Sequence, residues 1–161
     1  MPEIILIAHN IRSTHNVGSI FRTADGFGVK SIIISGYTPY PKTPHDSRLP
    51  HIADKLSRQI HKTALGAEQT VPFDYQAIPD ITGLKAKGYR VVALEQTVYS
   101  LPIRTYHAST KIALLLGEEV AGIEASLLAL CDETIEIPMV GRKESFNVSV
   151  AAGIALYQLT M

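Results

Sequence analysis

The chain predicts an α/β fold with a mostly parallel sheet flanked by helices, and three observations carry that expectation. Short runs rich in Val, Ile and Leu recur without polar alternation, as strands covered on both faces require. Amphipathic segments of helical length separate them, the pattern of strand-helix-strand units. The length, 161 residues, suits one domain, and a domain of that size buries about 69% of the surface of its unfolded chain. One core is therefore enough, and a single domain over residues 1–161 is expected.

The elements follow in order. Apolar runs at Glu3 to Ala8, Ser31 to Ser35, Tyr89 to Leu94, Lys111 to Leu116 and Thr134 to Ile137 are predicted strands. Asn16 to Asp25, Ala53 to Leu65, Tyr75 to Lys87, Glu124 to Leu130 and Asn147 to Leu159 are predicted helices. Asn16 is a good N-cap for the first, and Gly88, following Lys85 and Lys87, a good stop for the third. Gly36 to Pro50 breaks the rhythm with Pro39, Pro41, Pro44 and Pro50 among Tyr37, Tyr40, His45 and Arg48. A connection of that length is uncommon within a compact domain and marks a functional or mobile segment.

Composition narrows the class. Charged residues are 19% and hydrophobic residues 46%, which excludes a disordered chain. Lys plus Arg equals Asp plus Glu at 15 each, so any nucleic-acid contact must come from local clustering. One cysteine, Cys131, excludes an internal disulfide framework and fits a reducing, cytoplasmic home. The six histidines form no helical pair spaced for a metal, so no metal site is expected. The N-terminus lacks a basic region before Ile4–Ile7, and no apolar run reaches the ~18 residues of a membrane span, so neither a leader nor a membrane partner is expected.

Three segments carry more local constraint than the fold needs. His15 to Gly26 holds Asn16 and Arg22 on a helix whose Ile20, Phe21 and Ala24 form its buried face. Leu114 to Ile123 runs a buried strand into Gly117-Glu118-Glu119-Val120-Ala121-Gly122, at the carboxyl end of a strand where parallel sheets bind ligands. Ile137 to Ile154 passes through a Pro138–Gly141 loop to Ser145, Asn147 and Ser149, more hydroxyl and amide groups than capping alone explains. Neither a Gly-x-Gly-x-x-Gly dinucleotide fingerprint nor a Gly-x-x-x-x-Gly-Lys-[Ser/Thr] phosphate loop is present.

Together these segments resemble the SpoU/TrmH family of the SPOUT RNA methyltransferases. Asn16 to Ala24 looks like its first motif, Gly117 to Gly122 its second, and Ile137–Met139 through Ser145–Ser149 its third, in the family's order and over nearly the whole chain. Phe146 and Val120 depart from the residues usual at their motif positions.

The resemblance implies a C-terminal deep trefoil knot, an exception to the general absence of knots. It also implies S-adenosylmethionine as cofactor, held near Leu94, Glu95, Leu116, Gly117, Ile137, Met139 and Phe146. The reaction implied is methyl transfer to a ribose 2′-hydroxyl of tRNA or rRNA, by a homodimer whose sites borrow residues across the interface. Arg22 would contact the 2′-oxygen or its phosphate, Asn16 would position the arginine or the ribose, and Glu119 would orient the arginine. Ser145 and Asn147 would complete the polar floor. A guanidinium, with a pKa above ~12, is poorly suited to act as a base. The role implied for Arg22 is therefore to fix a phosphate and stabilise the developing alkoxide.

Arg12, Arg22, Arg48, Arg142 and Lys143 are the phosphate contacts expected near the motifs, with Lys55, Arg58, His61 and Lys62 on a further basic helix face. The chain resembles a minimal member without RNA-binding extensions. The alternative is a catalytically inactive knotted module that holds RNA or a partner.

Overall fold

Val- and Ile-rich segments that shield their backbones on both faces assemble, in the computed structural model of residues 1–161, into one seven-stranded sheet with helices on either side. The order along the chain is β1 (Glu3–His9), α1 (Thr14–Gly26), β2 (Ser31–Ser35), α2 (Pro50–Ala64), α3 (Ala67–Thr70), β3 (Phe73–Gln76) and α4 (Ile81–Ala86). Then come β4 (Arg90–Leu94), β5 (Leu101–Pro102), a 3-10 turn (Ile103–Thr105), β6 (Lys111–Leu116), α5 (Ala125–Leu128), β7 (Glu133–Glu136) and α6 (Val148–Thr160). Laterally the sheet runs β3-β2-β1-β6-β4-β7-β5, and every pair is parallel.

The five predicted strands are all present. Two further strands, β3 and β5, lie outside the predicted runs. β3 lies where the sequence predicts the start of a helix, and the helix expected over Tyr75 to Lys87 is only α4, capped by the Asp80 carboxylate on the Gly83 amide (2.8 Å). β5 is a two-residue edge. A third difference lies at α1. Its cap is Ser13, whose hydroxyl accepts from the Asn16 amide (3.2 Å), so the helix starts earlier than predicted and Asn16 sits within its first turn. This leaves the Asn16 side chain free for other partners.

Successive residues of a strand face opposite ways, and β1 feeds two cores. Ile4, Leu6 and Ala8 join Phe21, Ile60, Leu156 and Leu159 beneath α1, α2 and α6. Ile5 and Ile7 join Ile81, Leu84 and Leu127 beneath α4 and α5. The helices of the first core lie very close together at Gly18. A β-carbon there would sit 2.3 Å from the Ile60 carbonyl and 2.9 Å from the Ala64 nitrogen, so only glycine permits the α1–α2 crossing. The small residues of α6 serve a similar approach, with Ala152 and Ala155 fully buried and Gly153 opposite Thr23 of α1. No helix is long and apolar enough to cross a membrane.

Candidate functional site

A cavity of about 460 Å³ opens at the carboxyl ends of β4, β6 and β7, within the roughly 300–1,000 Å³ typical of small-ligand sites. Its walls are Leu94 and Glu95 after β4, the Leu116 to Ile123 turn after β6, and Glu136 and Ile137 at the end of β7. Residues 144–146 and the first turn of α6 close it. Of the predicted cofactor contacts, Leu94, Glu95, Leu116, Gly117, Ile137 and Phe146 line this cavity, whereas Met139 does not. Met139 belongs to the loop that leaves β7, two residues beyond Ile137.

The turn after β6 is shaped by its two glycines. A β-carbon on Gly117 would overlap the Ile123 side chain at 2.4 Å, and Gly122 adopts a φ of +71° with the Glu95 carboxylate packed against it. The Gly122 amide donates to the Glu118 carbonyl (2.9 Å) and the Ala121 amide to the Glu118 carboxylate (2.6 Å). Glu95 accepts from the amides of Ile123 (2.9 Å) and Gln96 (2.8 Å), so its carboxylate braces the turn from the neighbouring strand.

At Glu119, which lines the cavity, side chains join the three motif segments, although Asn16 and Asn147 themselves stand outside the lining. The Asn16 amide nitrogen donates to the Glu119 carboxylate (2.8 Å), and the Asn147 amide nitrogen donates to the Asn16 carbonyl oxygen (3.1 Å). Asn147 then accepts from the Ser149 amide (2.9 Å) and hydroxyl (2.7 Å), capping α6. Asn147 is thus the cap of α6 and a partner of Asn16 at once. Ser145 is exposed on the cavity lining.

Arg22 is not in this array. It is exposed on α1, lines no part of the cavity, and has no ion-pair or hydrogen-bond partner in its own chain. Six residues of helix separate it from Asn16, about 9 Å of rise and roughly 240° of turn. The expected Glu119–Arg22 pair is therefore absent, and Asn16 occupies Glu119 instead.

Arg48 also departs from expectation. Its guanidinium is clamped by Asp46 (2.5 and 2.8 Å) and donates to the carbonyls of Tyr40 (2.9 Å) and Pro41 (3.2 Å). The Arg48 hydrogen bond holds the Asp46 carboxyl well below the usual carboxylate range. This arginine folds its own loop rather than waiting for a phosphate. On α2, His61 pairs with Glu68 (2.5 Å), while Lys55, Arg58 and Lys62 are exposed, as are Arg142 and Lys143 after β7. No three His, Cys, Asp or Glu side chains are grouped to hold a metal ion. Burial pushes the Cys131 thiol up to about 11, which makes it a poor nucleophile.

Comparison with known proteins places this geometry. The chain is 32% identical over 163 residues to a 23S rRNA (guanosine-2′-O-)-methyltransferase of Nitrosomonas europaea, covering 98% of this chain and 55% of that protein. It is 30% identical over 159 residues to the tRNA (guanosine(18)-2′-O)-methyltransferase of Escherichia coli K12, covering 98% and 62%. The chain thus spans little more than half the length of these curated relatives. Among solved structures, the AdoMet-bound rRNA methyltransferase from Sinorhizobium meliloti superposes with a TM-score of 0.81 at 27% identity, covering 98% of this chain and 55% of that one. The A. aeolicus TrmH/SpoU tRNA modifying enzyme gives 0.80 at 25%, covering 99% and 75%. The sequence profile of one family matches residues 3–157, and those residues include all three segments that meet around the Asn16 wall: the chain belongs to the SpoU rRNA Methylase family.

Proposed function

We propose that the protein is an S-adenosylmethionine-dependent methyltransferase acting on a ribose 2′-hydroxyl of tRNA or rRNA. The observation that carries this reading is the Glu119–Asn16–Asn147 chain, which ties three distant segments together at Glu119, a residue of the cavity lining. The curated relatives bear the names of 2′-O-methyltransferases of rRNA and tRNA, and one structural neighbour holds AdoMet.

The lining fits that cofactor. Every charged side chain on it is acidic (Glu95, Glu118, Glu119, Glu136 and Glu144), which suits a ligand carrying a sulfonium and an ammonium. Leu94, Leu116, Ile123, Ile137 and Val148 offer the apolar surface a nucleoside needs. Phe146 adds an aromatic ring to the lining. When bound, S-adenosylmethionine supplies an already activated methyl group.

The protein's own task is then alignment, which is worth roughly 7–11 kcal/mol of barrier in well-oriented reactions. Asn16 and Asn147 hold the polar wall beside which the ribose lies, Ser145 offers a hydroxyl to it, and Glu119 fixes the Asn16 amide. Arg22 anchors the phosphate and stabilises the alkoxide of a site built with a second copy, in a homodimer. Two features support that arrangement: Arg22 is exposed and unpaired, and Val150 and Tyr157 leave an apolar face of α6 in solvent. We read residues 1–161 as one SPOUT domain, with the segment between β7 and α6 threaded as the knot the family resemblance implies, in the cytoplasm where its RNA and a reduced Cys131 belong.

Incubation with labelled methyl donor and unfractionated RNA, followed by nucleoside analysis, is expected to yield 2′-O-methylated ribose. Label found only on a base, or none on RNA, overturns the proposal.

A further inference from the structure

A second cavity, of about 680 Å³, lies at the carboxyl ends of β1 and β2, between the Gly36–Pro50 loop and the start of α1. Its lining contains Arg12, His15 and Arg48 and no carboxylate, the opposite of the acidic cavity beside it. The two adjoin at the first turn of α1. Arg12 approaches Glu118 of the acidic lining at 3.9 Å with its side chain 78% exposed, and His15 immediately precedes Asn16.

The loop that forms the far wall is rigid for physical reasons. Arg48 lies over the Tyr40 ring at 3.5 Å, and Tyr75 stacks on Tyr40 with centroids 4.5 Å apart. The Tyr75 hydroxyl donates to the Gly36 carbonyl (2.9 Å), and the Asn10 carbonyl oxygen accepts from the Tyr37 amide (3.1 Å). One aromatic ring in this wall remains without a partner. Tyr37 lines the cavity at 53% exposure, and neither an aromatic nor a cationic group of the chain stacks on it.

We propose that this cavity takes an unpaired base of the acceptor RNA, stacked on Tyr37, with an adjoining phosphate on Arg12. The proposal rests on the methyl-transfer reading above and names where the acceptor strand lies. An exposed ring on an anchored backbone offers a face to any base, and stacking is sequence-tolerant because every base has a π-face. Only an unstacked, single-stranded base presents that face. Arg12, on the same lining, supplies the phosphate contact that net charge cannot. Arg48, spent on Asp46 and two carbonyls, is a positioning residue for the aromatic wall.

The chain contains no tryptophan, so Tyr37→Trp creates a unique indole at the platform. Its emission is expected to quench saturably on titration with a mixed-sequence single-stranded oligoribonucleotide, and far less with a blunt RNA duplex. Tyr37→Leu is expected to raise KM for RNA by about 5- to 150-fold, the equivalent of losing one stacked base, with affinity for S-adenosylhomocysteine unchanged. Arg12→Gln is expected to weaken RNA binding and to lower the slope against log salt by about one. An indole indifferent to saturating RNA, or Tyr37→Leu with wild-type KM, overturns the proposal. Wild-type protein that transfers no methyl to any RNA overturns the reading above instead, and the indole titration still decides whether the cavity takes a strand.

Discussion

Asn16 and Arg22 lie on one helix and differ in almost every physical respect. Asn16 is half-buried and bonded at both ends of its amide, to Glu119 and Asn147. Arg22 is exposed and bonded to nothing in its chain. Their substitutions should separate accordingly. Arg22→Ala is expected to change stability by no more than about 0.5 kcal/mol and to leave S-adenosylhomocysteine binding intact, while turnover falls by roughly 10²–10³. Arg22→Lys should rescue little, because an ammonium does not reproduce the planar fork. Thermal melts, calorimetry and initial rates on the same samples check this, and a fully active Arg22→Ala protein removes the role assigned to the residue. The motif pattern points to both side chains, and within one chain Glu119 meets Asn16 and not Arg22. The reason is helical geometry: six residues along α1 rotate the guanidinium away from the wall that Asn16 reaches.

At the scale of elements, the sharpest constraint is the α1–α2 crossing. A methyl group at Gly18 meets backbone of α2, which cannot step aside as a flexible side chain would. Gly18→Ala is expected to cost at least about 1–3 kcal/mol through overpacking, lowering Tm by several degrees. Gly26→Ala on the same helix, where a β-carbon meets nothing within 4 Å, is the control. It is expected to be neutral or stabilising by roughly 0.4–1 kcal/mol. Equal melting points for the two variants would refute the crossing argument. Which elements were legible in the sequence follows a similar logic. The central strands β1, β2, β4 and β6, covered on both faces, announce themselves as uninterrupted apolar runs. β3 did not, because this edge strand of four residues carries Asp74 and Gln76 and leaves Asp74 and Tyr75 in solvent. The cap of α1 is ambiguous in the sequence because Ser13 and Asn16 are both good caps, and only the fold shows which amide needs one. The second cavity left no periodic signal at all. Its wall is built by Arg48 folding a proline-rich loop back on itself, an interaction without a repeat to read.

At the scale of the whole molecule, the separation of Arg22 from the cavity has a direct test. Arg22→Ala and Asn147→Ala copies, each inactive alone, are expected to recover about a quarter of wild-type turnover when mixed and allowed to exchange, since half the dimers then carry one intact site. Sedimentation equilibrium on the mixture establishes the dimer. A mixture as inactive as its parts would place both residues in one chain's site.

The pairing of β1 with β6, in which Glu3 stands opposite Lys111, also has a consequence in time. During synthesis at roughly 5–20 residues per second, the first strand of the sheet waits about 5–20 s for the neighbour on its inner edge. In that interval β1 has a strand partner on one edge only, β2, while α1, α2 and α4, which cover its two faces, are already made. A nascent chain of this sequence therefore exposes an unpaired sheet edge along β1 until β6 leaves the ribosome, a window in which edge-to-edge pairing with another chain is open to it.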